Sequence, residues 1–275
     1  MTDKTQQDSK VSDWWKTEII EMEPGVIRFR GYPIEELIGH ISFSQMIWLM
    51  TRGELPEPGA AKLLDTALMS GVDHGPQAPS LAIARMAATC GVDLNNAMAS
   101  AVNVLGDVHG GAGEQAVTLY QEILKQQESG VPLTEAAKAV VGALLDAGSF
   151  IPGFGHRFHP IDPRSPRLLE LVDEAAAAGV VSGRFASIGR AVEAEIMERK
   201  GKRIPMNIDG ATAVIYAELG FPPQLARGLF CLSRSVGILA HTWEQMQQGG
   251  RNKGPMPKEY LWTYTGKAKR ELAKN

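Results

Sequence analysis

Residues 153–164 read GFGHRFHPIDPR, with two histidines, two arginines, an aspartate and two prolines packed between stretches of ordinary helical composition. Glycines 153 and 155 let the backbone turn where a side chain would clash. Pro160 and Pro163 fix φ and end any helix, so His156 and Arg157 are expected at a rigid bend. Three more polar turns recur along the chain: SGVDHGP presents His74, GDVHGGAGEQA presents His109, and MNIDGATA presents Asp209 just before an apolar helical run. Three imidazoles and a carboxylate suit proton abstraction beside a carbonyl. The developing enolate oxygen must be held by a donor, so two histidines could hold separate carbonyl oxygens while the aspartate moves the proton. Arg157, Arg164 and Arg234 suit carboxylates, which a guanidinium grips in two-pronged fashion.

The same residues allow blander readings. A loop rich in His, Arg and Asp is often only a solvated connection. Arg164 could simply pair with Asp162, and Arg234 could bridge helices. A metal site is disfavoured by spacing: there is no HExxH and no Cys/His ligand pair, and His156 and His159 flank proline turns rather than sharing a helix face. Residues 106–113 are glycine-rich but lack the Lys-Ser/Thr of a phosphate loop and the strand that precedes a dinucleotide motif. His40 and His159 have no assigned role, and His241, in an apolar helical run, reads as a satisfied core histidine.

The elements that must position these turns read as helices. Apolar periodicity and Gly/Pro punctuation predict helices over 59–70, 79–90, 93–105, 112–128, 133–148, 165–179, 183–200, 209–219, 223–247 and part of the C-terminus. Before them, a short extended piece from Val26 turns at Gly31-Tyr32-Pro33 into two helices ended by Gly39 and Gly53. The expected class is all-α. We divide the chain into a mobile arm at 1–13, a large helical domain of 14–150 and 210–275, and a smaller helical domain at 151–209, with the motifs collected in a cleft between the two domains. No 20–50-residue repeat or low-complexity tract is apparent.

Composition narrows the function classes. A chain of 275 residues can bury a large core without staples, and Cys90 and Cys231, far apart in apolar surroundings, read as buried small hydrophobes. The 28 basic and 31 acidic residues leave a formal charge of -3, with no broad attraction for nucleic acid. The polar start MTDKTQQDSKVSD lacks the features of a signal peptide, and no stretch approaches the ~20 apolar residues of a membrane span. A cytoplasmic protein without membrane contact is expected. Trp14 and Trp15 could pack on the body of the protein or on a partner subunit, with core packing as the default expectation.

In order, RGYPIEEL, GDVHGGAGEQA, GFGHRFHPIDPR, MNIDGATA and SRSVGILAHTWEQ resemble the motif series of the citrate synthase superfamily, over about Arg28 to Gln248. Within it the chain is most similar to citryl-CoA lyases, stand-alone or as the module of ATP-citrate lyase. The stretch from RGYPIEEL to the HGG motif is short, the first histidine motif reads DHGP, and NIDG replaces the common NVDF-type sequence. The resemblance implies a large and a smaller helical domain with an active-site cleft, and cleavage of citryl-CoA to acetyl-CoA and oxaloacetate through an acetyl-CoA enolate. The alternatives are a short citrate or methylcitrate synthase condensing an acyl-CoA with oxaloacetate, and a CoA-ester-binding subunit with little activity.

It implies His109 on the thioester carbonyl, Asp209 as acid/base at the methyl carbon and His156 on the oxaloacetate carbonyl. His74, Arg164 and Arg234 would hold carboxylates, with Arg157 in support. Lys200, Lys202 and Arg203 would meet CoA phosphates, a solvated charge run being the other reading. No metal or bound cofactor is required, coenzyme A entering as a thioester substrate. A homodimer or homotetramer is implied, with a separate citryl-CoA synthetase as a further partner. One departure stands out: where citrate synthases carry an arginine before a proline in the C-terminal arm, this chain reads Lys253-Gly254-Pro255. Arg251 or Lys253 would have to substitute, and a lysine lacks the planar fork.

Overall fold

The structure, a computed structural model, describes residues 14–272. The expected arm at 1–13 lies outside the described residues. A small antiparallel sheet of β1 (Ile20–Glu23), β2 (Val26–Phe29) and β3 (Tyr32–Pro33), in that order, pairs Ile20 with Phe29 and Arg28 with Pro33. Eleven helices follow among the described residues: α1 (Ile34–Leu37), α2 (Phe43–Arg52), α3 (Pro58–Ser70), α4 (Pro79–Thr89), α5 (Leu94–Val102), α6 (Ala112–Glu128), α7 (Leu133–Asp146), α8 (Arg164–Ala177), α9 (Arg184–Lys200), α10 (Ile208–Glu218) and α11 (Pro223–Gln248). At 56% helix with little sheet, the fold is all-α as expected.

Local chemistry explains the helix starts. Ser42 and Gln45 form a reciprocal capping box at α2, the Ser42 hydroxyl accepting from the Gln45 N–H and the Gln45 side chain from the Ser42 N–H. Helices α3 and α4 open on Pro58 and Pro79, where a missing N–H costs nothing. The Glu218 carboxylate accepts from the backbone N–H groups of Ser182, Gly183, Phe185 and Ala186. The last residue of α10 thus satisfies the orphan donors, and meets the positive end, of α9.

The chain divides into two compact units, residues up to 72 with 110–233, and 73–109 with the chain from 234 on. In the first unit α10 is the central rod, packed by α3, α6, α8 and α9. Every residue from Gly210 to Ala217 is buried. Its small residues let neighbours close in, and Val214 and Ile215 each contribute about 1.5–3 kcal/mol by full burial. Phe221, just beyond, stands edge-on to Trp48 and Tyr216. In the second unit α4 packs on α5, with Leu81, Ala84, Ala101 and Ile238 as its core. The domains drawn from the sequence, with a smaller one at 151–209, cut the chain differently, and we keep them as a proposal about the working molecule.

Four expectations are corrected. Strand β1 precedes the extended piece expected from Val26; its IEME sequence carries two glutamates and stays exposed, so it held no burial signal. Trp14 and Trp15 are 78% and 85% exposed rather than packed on the core. Cys90 is exposed and Cys231 only half-buried, neither in a disulfide, since each sits where its helix meets solvent. Beyond Gln248 the described chain contains no helix, because Gly249, Gly250, Gly254, Pro255 and Pro257 interrupt it.

Candidate active site

The loop carrying His156 and the turn carrying Asp209 are joined backbone to backbone. The N–H of Asn207 donates to the Gly153 carbonyl at 2.9 Å and that of Gly155 to the Pro205 carbonyl at 2.8 Å, while the Asn207 amide donates to the Gly155 carbonyl at 2.7 Å. A Cβ on Gly153 would lie 2.7 Å from the Gly210 Cα, and Gly153 also has a φ of +85°. Only glycines allow this approach. Asn207 caps α10, its side-chain oxygen accepting from the N–H groups of Asp209 and Gly210. Asp209 therefore sits, half-buried, in the first turn of the most buried helix.

His156 has its protonation set by this loop. Its Nδ1 accepts from the N–H groups of Phe158 and His159, both at 3.0 Å. An N–H can only donate, so the neutral ring carries its proton on Nε2. Burial pushes the His156 pKa down. The Asp162 carboxylate opposes this, while His159 and Arg164 add to it.

Asp162, 1% exposed, accepts from the backbone N–H and guanidinium of Arg164 and from the Ile208 N–H at 3.0 Å. Burial alone would raise its carboxyl, but these hydrogen bonds hold it below the ordinary aspartate value. Arg164 is thus paired with Asp162 and also reaches toward the Ser70 carbonyl at 3.4 Å. Arg157 is exposed on the same loop. Of the cationic stretch, Arg203 pairs with Glu193, whose other oxygen accepts from the Met206 N–H, while Lys200 and Lys202 are exposed.

In the second unit the Nε2 of His109 meets Ser80 at the head of α4, accepting from its backbone N–H at 3.1 Å and lying 3.0 Å from its hydroxyl. The proton of the neutral ring is then on Nδ1. Burial lowers the His109 pKa, and the charge of Arg234 lowers it further. Arg234 is only 5% exposed. His74 lies half-buried in the turn before α4. His241 is not a core histidine: its Nε2 meets Asp73 and its Nδ1 meets Arg85, partners brought from distant sequence positions. After α11, the backbone N–H groups of Asn252 and Lys253 donate to Thr89 at the end of α4, and the side chains of Arg251 and Lys253 are exposed.

The first unit therefore gathers His156, Arg157, Arg164, Asp209, Lys200, Lys202 and Arg203, and the second holds His74, His109 and Arg234. Sequence reasoning missed Ser80 and Asn207. Asn207 was findable as an N-cap residue ahead of an apolar run. The Ser80 contact spans 29 residues, and no local signal points to it. Among the described residues no three His, Cys, Asp or Glu side chains are grouped so as to hold a metal ion.

Residues 56–255 match the family model described as "Citrate synthase, C-terminal domain". The chain belongs to the citrate synthase family. The citrate synthase of Haloferax volcanii is 32% identical over 200 residues, 72% of this chain and 50% of that protein. That of Deinococcus radiodurans is 32% identical over 201 residues, covering 72% and 51%. The chain thus spans about half the length of the curated relatives it matches. Among solved structures, citryl-CoA lyase from Hydrogenobacter thermophilus is similar with a TM-score of 0.82 and 34% identity, over 94% of this chain and 97% of that one. ATP citrate lyase from Methanothrix soehngenii, in complex with citrate and coenzyme A, shares the fold with a TM-score of 0.79 and 22% identity, over 97% and 45%. These similarities establish a citrate synthase-like helical chain related to citryl-CoA lyase.

Proposed function

We propose that this citrate synthase family member is a citryl-CoA lyase, releasing acetyl-CoA and oxaloacetate. The observation that carries the reading is its 34% identity to a citryl-CoA lyase over almost the whole of both chains, against half-length matches to citrate synthases. The imidazole geometry supplies the chemistry. In this reading the Nδ1–H of His109 donates to the thioester oxygen, which becomes anionic in the enolate, and the Nε2–H of His156 donates to the citryl hydroxyl oxygen. Both acceptor nitrogens are occupied by backbone N–H groups, so neither ring is available as a base. Proton transfer then falls to Asp209. Its carboxylate takes the hydroxyl proton, the carbon–carbon bond breaks to leave oxaloacetate and the acetyl-CoA enolate, and the same proton passes to the enolate carbon. His74, Arg164 and Arg234 hold carboxylates, Arg157 supports them, and Lys200, Lys202 and Arg203 face the CoA phosphates. The active form is a homodimer or homotetramer, and a separate synthetase supplies citryl-CoA.

A second reading, a short citrate synthase, is favoured by the curated relatives, which are citrate synthases. A product assay with citryl-CoA separates the two. Oxaloacetate, followed by coupled reduction, without release of free thiol is the lyase result. Free thiol with citrate would replace our reading by the synthase, whose hydrolytic step makes both.

A further inference from the structure

His241 lies outside the catalytic set, yet it has two directed contacts. On α11, His241, Glu244 and Gln248 share one face at a helical spacing, and all three meet Arg85 of α4. Glu244 and Gln248 fix the guanidinium fork, leaving one Nη1 donor 3.1 Å from the His241 Nδ1. A guanidinium has no acceptor, so Nδ1 accepts and the proton of the neutral ring sits on Nε2, 3.1 Å from the Asp73 carboxylate. The second Asp73 oxygen accepts from the Gly75 N–H at 3.2 Å. Asp73 and Gly75 are the two neighbours of His74, so one carboxylate, aimed by His241, ties the backbone on both sides of it.

We propose that His241 is a positioning residue: the chain Arg85–His241–Asp73 sets the orientation of the His74 imidazole, and so the grip on a substrate carboxylate. The functional half of this inference rests on the citryl-CoA reading.

The test combines His241→Ala, His241→Gln, His74→Ala and the double variant His74→Ala/His241→Ala. Two readouts are taken, citryl-CoA cleavage and the imidazole 1H–13C signals of His74. His241→Ala is expected to raise KM about tenfold with kcat within about threefold of wild type. Glutamine, whose amide offers both an acceptor and a donor, restores KM. In the His74→Ala background the second substitution adds nothing, because it acts through the residue already removed. The His74 signals shift in His241→Ala and return in His241→Gln. A wild-type KM in His241→Ala, or an equal rise in both backgrounds, overturns the proposal. Should the wild-type protein cleave no citryl-CoA, the functional reading fails, and the His74 signals still decide whether His241 orders that ring: unchanged signals overturn it.

Discussion

An imidazole whose one nitrogen accepts from a backbone N–H has only the other nitrogen to offer, and His109 and His156 are both held in that state. Protonating either ring would set a new N–H against the existing donor, so the donor roles proposed for them require the neutral form. Burial lowers both pKa values from the ordinary 6.5 in the ligand-free protein, so the acid limb of kcat/KM against pH is expected below 6.5. A midpoint above that value would count against the assignment. Asp209→Ala is expected to reduce cleavage by about a thousandfold or more while the helical circular dichroism is kept, because the side chain is half-buried at a helix end. Wild-type turnover in that variant would remove Asp209 from the mechanism. These residues were singled out in the sequence by the glycines and prolines around them. Their orientations were not, since the partners that set them include Ser80, which is remote in sequence. His241 shows the reverse error: an apolar run suggested the core, whereas Arg85 and Asp73 made it polar.

The union of the 151–156 loop with the head of α10 is the element-level counterpart of this chemistry. It places a proposed electrophile holder and a proposed acid/base on one continuous piece of hydrogen-bonded backbone. Gly153→Ala would bring a Cβ to 2.7 Å from the Gly210 Cα in a left-handed conformation. We expect a loss of about 3 kcal/mol or more of stability, read by denaturant unfolding, with activity falling further than folded protein. Gly210→Ala should behave alike, its Cβ meeting the Gly153 carbonyl. The helices were readable because proline and glycine mark their ends: Pro58 and Pro79 open α3 and α4, and Gly201 follows α9. The sheet was read only in part, because β1 alternates isoleucine or methionine with glutamate and buries neither face. The 153/210 contact had no signature in sequence beyond the glycines themselves, since contact across 57 positions is a property of the packing.

For the molecule as a whole, the proposed reaction develops charge on two oxygens and assigns a neutral imidazole donor to each. Turnover is therefore expected to be unaffected, within about twofold, by exhaustive treatment with a chelator. Activity lost on chelation and recovered with a divalent cation would show that a Lewis acid takes one of those roles. The all-α class was legible from periodicity alone, whereas the division into two compact units was not. Each unit joins segments distant in the chain, and residues 73–109 meet the chain from 234 on through contacts that no local pattern announces.

The burial of α10 also has a consequence for synthesis. The helices that surround it, α3, α6, α8 and α9, all precede it in the chain. On a ribosome they emerge with their inward faces still open, and the first unit cannot close its core until the stretch 208–218 has left the exit tunnel. During that interval the nascent chain displays the apolar surface meant for its later-arriving centre, which is the interval in which a holding chaperone would find it.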